Sequence, residues 1–112
     1  MGSQRSGDVA FYLNAQADAD GVGIYYGESV FTITGVSVGL TITGAPTAAT
    51  IDLQEDGTDV STGIDVSSNG YVELTAPVTI SAETALDIDL NFTGGTTPAA
   101  TGHLHLHILR GM

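Results

Sequence analysis

Leu86-Asp87-Ile88-Asp89-Leu90-Asn91-Phe92 and, ten residues further on, His103-Leu104-His105-Leu106-His107-Ile108 alternate apolar and polar side chains without a break. Strict alternation places every second side chain on one face, the signature of a half-buried β-strand. The segment between them, Thr93 to Gly102, is rich in Gly, Thr and Pro and reads as a loop. The two strands are therefore expected to pair as a terminal hairpin. An in-register pairing with both apolar sets on one face sets Asp89 opposite His105 and Asp87 opposite His107.

Working outward from this stretch, strand signals follow one another and helical spacing is absent. Val9 to Leu13 alternates, and Asn14 to Gly23 reads as a polar loop. Ile24-Tyr25-Tyr26 and Ser29 to Ile33 come next, interrupted by Gly27. Val36 to Ile42, Thr50 to Gln54, Asp59 to Ser61, Tyr71 to Leu74 and Val78 to Ile80 complete the set. Glu55-Asp56-Gly57-Thr58 and Ser67-Ser68-Asn69-Gly70 supply tight turns, since Gly accepts the positive φ that short hairpins need. About eight short strands with turns every 8–12 residues point to an all-β antiparallel sandwich or jelly-roll-like barrel. The expected core is Phe11, Leu13, Ile33, Val38, Leu40, Ile51, Leu53, Leu86, Ile88, Leu90, Leu104, Leu106 and Ile108.

With 112 residues the chain is expected to be one domain, residues 1–112, in which residues 1–8 form an N-terminal arm. Thirteen acidic residues face only two arginines, Arg5 and Arg110, for a formal charge of −11. Such a surface repels nucleic acid and anionic membranes, so neither is expected as a partner. There is no cysteine, so neither disulfides nor thiolate chemistry enter. Met1 to Asp8 lacks the apolar run of a signal peptide, and the chain reads as a complete small gene product.

The three histidines are the first candidates for chemistry. His103, His105 and His107 share one face of a strand at ~6.7 Å intervals. A single chain brings only two imidazoles to one metal, whereas a threefold axis would gather six nitrogens from three His-x-His pairs. The plainer reading is a polar, solvent-facing strand. A third reading uses the expected Asp87 and Asp89 partners, which would favour protonated rings and make the face responsive to mild acid. Gln16-Ala17-Asp18-Ala19-Asp20-Gly21 has the oxygen spacing of a calcium loop but lacks its first Asp, so it reads as an acidic loop. Ser, His and Asp are present as composition only, with no nucleophile elbow. Asp87 and Asp89 are expected in solvent rather than a cleft. No enzyme and no cofactor is expected. Of Tyr25 and Tyr26, one should enter the core and the other stay exposed.

From Phe31 to Gly111 the order of features resembles a β-sandwich domain of tailed-bacteriophage structural proteins. The matching pieces are Ala45-Pro46-Thr47 with the strand Thr50 to Gln54, the turn Glu55-Asp56-Gly57-Thr58, and Thr79-Ile80-Ser81-Ala82-Glu83-Thr84. The strand Leu86 to Leu90, the loop Gly95-Thr96-Thr97-Pro98-Ala99 and the closing strand to Gly111 follow. An acidic Glu55-Asp56 and Ala85 depart from the pattern. The resemblance implies a capsid decoration (cement) protein or a head or tail fibre module, without catalytic residues. The His-x-His pattern is similar to that of trimeric phage fibre tips. The expectation is a trimer on the outer capsid surface of the virion, bound to the major capsid protein, with Arg5, Phe11, Tyr25 and Tyr26 as contact candidates. Alternatives are a tail-fibre receptor-binding module and a carbohydrate-binding sandwich, though with four Tyr, three Phe and no Trp the supply of exposed aromatics is thin.

Overall fold

The computed structural model describes residues 5–110, with side chains described from residue 7 onward. All eight elements are strands: β1 (Arg5–Gln16), β2 (Ala19–Tyr26), β3 (Phe31–Thr43), β4 (Ala48–Glu55), β5 (Thr58–Asp65), β6 (Gly70–Ile80), β7 (Ala85–Thr93) and β8 (Ala99–Arg110). They form two four-stranded antiparallel sheets, ordered β1-β8-β3-β6 and β2-β7-β4-β5. Four pairings, β1 with β8, β2 with β7, β3 with β6 and β4 with β5, are those of one long antiparallel ribbon folded at Glu55–Thr58. Rolling that ribbon up adds β3 against β8 and β4 against β7. This is the strand order of a jelly roll. The sheets face each other as a sandwich and do not close into a barrel.

The terminal strands therefore do not form a hairpin. β7 lies in one sheet and β8 in the other, so Asp87 and Asp89 face neither His105 nor His107. Alternation requires one buried face but does not say whose strand lies alongside. A two-residue turn would have forced direct pairing. Residues 94–98 instead form a loop that crosses the sandwich, about 10 Å thick. That loop packs on the β3–β4 connection: the Thr96 N–H donates to the Gly44 carbonyl and the Thr47 N–H to the Thr93 carbonyl, both at 2.8 Å. The Ala45-Pro46-Thr47 and Gly95-to-Ala99 motifs are thus one structural unit.

Every expected core residue except the half-buried Phe11 is buried. Phe31, Val36, Val66 and Ile80 join them. Each such aliphatic side chain contributes about 1.5–3 kcal/mol of transfer free energy. Three local readings are corrected. The expected loop 14–23 is mostly strand, because β2 begins at Ala19 after only two intervening residues. β3 runs unbroken from Phe31 to Thr43 and absorbs Thr34 as a bulge. β6 continues through Pro77, which is tolerated because β6 is an edge strand and 74–77 leave the ladder with β3. Of the expected arm, residues 1–4 lie outside the described residues, and Arg5 to Asp8 begin β1, paired to β8 from Arg5↔Arg110.

Candidate functional site

The outer faces of the two sheets differ in chemistry. In the β2-β7-β4-β5 sheet, Leu86, Ile88, Leu90, Ile51 and Leu53 point inward. Pleating then sends Asp87, Asp89, Asp52, Gln54, Asp59 and Asp65 outward. Gln54 donates to Asp59 at 2.7 Å, and Asn91 donates to Asp52 at 3.1 Å. Asp89, expected in solvent, is only 5% exposed. The irregular start of β2 folds over it, and the Gly21 N–H donates to its Oδ1 at 2.8 Å. That contact also places the acidic 16–21 segment, where Gly21 serves Asp89 rather than closing a cation loop. Among the described residues, no group of three or more His, Asp and Glu side chains of one chain is placed to hold a metal ion.

The β1-β8-β3-β6 sheet carries the three histidines on its outer face. Across the strands, His103 lies between Tyr12 and Gly39, His105 between Ala10 and Ser37, and His107 between Asp8 and Gly35. The Tyr12 ring is tilted against His103 at 5.0 Å between centroids, and the His103 and His105 rings are 5.9 Å apart. Tyr71 stands edge-on to His107 at 5.1 Å. It lies over Gly35, where a Cβ would meet its hydroxyl oxygen, so a missing side chain on β3 makes the tyrosine's seat.

His107 is the most constrained of the three. Its Nδ1 is 3.2 Å from Asp8 Oδ1, and its Nε2 is 2.6 Å from Ser37 Oγ. A carboxylate only accepts, so Nδ1 carries a proton, and in the neutral ring Nε2 then accepts from the Ser37 hydroxyl. The acid expected beside this histidine is therefore present, but it comes from β1 rather than β7. Asp8, His107 and Ser37 sit on three adjacent strands and form a Ser–His–Asp chain that is invisible as composition. Alternation along β1 puts Asp8 and Tyr12 on the outer face. Only the register with β8 brings them to His107 and His103.

The remaining candidates divide. Tyr25 turns inward, edge-on to Phe31 at 5.4 Å, and accepts a hydrogen bond from Arg110 Nη2 at 3.2 Å. Phe11 packs its ring over Gly23 across the sheets. Tyr26 stays 59% exposed, so the expected split of the Tyr25–Tyr26 pair is present. The Arg5 side chain lies outside the described residues. Tyr12 and Tyr71, not singled out from the sequence, are the other two exposed tyrosines and share the histidine face.

No family model matches the chain, and no curated protein matches it. Among solved structures the chain is similar to one from the acidic stable capsid structure of Helicobacter pylori bacteriophage KHP30. Identity is 11%, with 100% of this chain and 94% of that chain covered and a TM-score of 0.43. At that score the likeness carries no argument about what this chain does.

Proposed function

We propose that the chain is a virion structural protein without enzymatic turnover: a trimeric capsid decoration protein on the outer surface of a phage head, bound to the major capsid protein. The observation that carries the reading is the unlike chemistry of the two outer faces. Four aspartates, Asp52, Asp59, Asp65 and Asp87, project from one sheet, with Asp89 covered beside them. Neighbours in such an array lie within one Debye length, about 8 Å at physiological salt, so their fields add. That face suits solvent, and it repels nucleic acid and other anionic particles. The opposite face presents Tyr12, Tyr71 and three histidines, with Asp8 and Glu73 as its carboxylates. Exposed tyrosines with an apolar body and a polar tip are common anchors of protein interfaces.

The edge strands β1 and β6 flank this docking face and can take an added strand from a capsid subunit. Around a threefold axis, His103 and His105 are the pair to share a metal between chains, because both His107 nitrogens are already engaged. Of the contact candidates, Tyr26 is the side chain placed to touch a partner from the other sheet.

Cryo-EM of native particles, with co-sedimentation of purified chain and capsids, tests the reading. Density for three copies on the outer shell, and binding weakened by Tyr12→Ser with Tyr71→Ser, is the expected result. A strictly monomeric chain that never binds capsids overturns it, and density on the tail points to the fibre module instead. One observation favours a second reading: Tyr12 and Tyr71 on one flat face can stack on sugar rings. Glycan binding lost in Tyr12→Ala would identify a carbohydrate-binding sandwich.

A further inference from the structure

We infer that Ser37 is an activated nucleophile, able to take one acyl or phosphonyl group from an activated ester through the Asp8–His107–Ser37 chain. Such a group is recognised by geometry and not by order in sequence. Here the serine is 2.6 Å from Nε2 of a histidine whose Nδ1 is 3.2 Å from a carboxylate. Ser37 and His107 are the reacting pair, and Asp8 is a positioning residue that holds the tautomer with Nε2 free to accept a proton. His107 is 35% exposed and Asp8 51%, so the chain is open to solvent. Beside the imidazole and Asp8 lies a groove of about 530 Å³ walled by Gly7, Thr34, Tyr71 and Leu109, while the half-buried Ser37 stands outside that lining on the ring's other nitrogen.

The step balances without any further reactant than the ester. Ser37 Oγ bonds to the carbonyl carbon while its proton passes to His107 Nε2. The bond from carbon to the leaving oxygen then breaks, and the imidazolium returns the proton to that oxygen; with a fluorophosphonate Oγ bonds to phosphorus instead, the P–F bond breaks, and fluoride leaves with that proton. What the site lacks is a pair of free backbone N–H groups for the developing oxyanion. β3 is a central strand, and its amides around Ser37 are paired with β6 and β8. Removing one oxyanion donor from a hydrolase costs about 10²–10³ in rate. Ser37 should therefore be acylated slowly and keep its ester, so the chemistry is a single modification and not turnover. This extends to chemistry what the proposed structural role leaves open, and it stands on different residues from the docking argument.

The test uses the full chain with a fluorophosphonate probe and with p-nitrophenyl acetate. One adduct per chain, mapped by peptide mass spectrometry to Ser37, is expected, with a single burst of nitrophenolate. Ser37→Ala and His107→Ala should each lose the adduct while keeping the wild-type circular dichroism spectrum. Thr41→Ala, a hydroxyl removed from the same face of β3 outside the chain of contacts, should label normally. Asp8→Ala should slow labelling at least tenfold, and ¹⁵N shifts should show His107 losing its Nδ1–H tautomer. Absence of an adduct at Ser37 in the folded protein, or labelling that survives His107→Ala, overturns the inference. Sustained hydrolysis overturns its single-turnover form.

Discussion

Replacing Gly102 by Ala tests the register that builds the histidine face. Gly102 lies in β8 between Leu13 and Leu40, with a φ of +137° that L-residues rarely adopt. An added Cβ would stand 2.1 Å from the Gly39 carbonyl oxygen and 3.1 Å from Leu40 Cα. Ordinary carbon contacts lie near 3.5 Å, so β3 and β8 must separate by about 1 Å. A residue forced into sparsely populated φ/ψ costs about 1–3 kcal/mol. Loosening one or two ladder hydrogen bonds adds about 1 kcal/mol each. The total, about 2–5 kcal/mol, is a large share of the roughly 5–15 kcal/mol that holds a domain together. Gly63→Ala is the matched control, because its φ is +67° and nothing lies within 4 Å of the added methyl. It should cost only about 1–2 kcal/mol, the penalty for a left-handed L-residue. Urea titrations followed by circular dichroism measure both. At about 4 °C per kcal/mol for a domain near this size, melting should fall about 4–8 °C in the control and about 8–20 °C in Gly102→Ala. Equal losses in the two variants would refute the close approach of β3 and β8.

Four further outcomes are expected. Leu106→Ala removes a side chain with 0% exposure and should cost about 2–5 kcal/mol in the same titration. Gly35→Ala puts a methyl where the Tyr71 ring sits. The half-exposed ring should swing away at small cost in stability, and the ring-current shift of His107 in proton NMR should vanish. Glu55 titrates below the ordinary 4.5, because the Ser81 N–H donates to its carboxylate at 2.6 Å, against the opposing effect of burial and with lesser help from the Ser81 and Thr84 hydroxyls. A depressed folded value contributes stability that is full above 4.5 and lost as pH falls through the lower folded value. Glu55→Gln should thus narrow its stability deficit as pH drops below about 4.5, measured by melting against pH. Asp65 is held below 3.8 by the Ser67 hydroxyl and N–H, so Ser67→Ala should lower stability at pH values above 3.8, and that deficit should shrink as pH falls below 3.8.

Alternation in β7 and β8, the turn at Asp56-Gly57 and the spacing of the other strands made the all-β class and nearly the whole core readable from the chain. Those are local consequences of pleating and of backbone freedom at glycine, and they hold whichever strands are neighbours. Pairing across the molecule is a different matter. His107 has the same local sequence whether Asp87 or Asp8 lies beside it. The choice falls to Asp8 because the 94–98 loop carries β8 to the opposite sheet, where β1 and β3 are its neighbours. Asp89 looked like a solvent-facing acid for the same reason, until the start of β2 closed over it. The chain by itself thus determined which side chains go inside and that one strand face bears three histidines. Only the tertiary structure decided what stands next to them, because cross-strand neighbours are set by burying two sheets against each other, an energy shared by the whole core and written in no single segment.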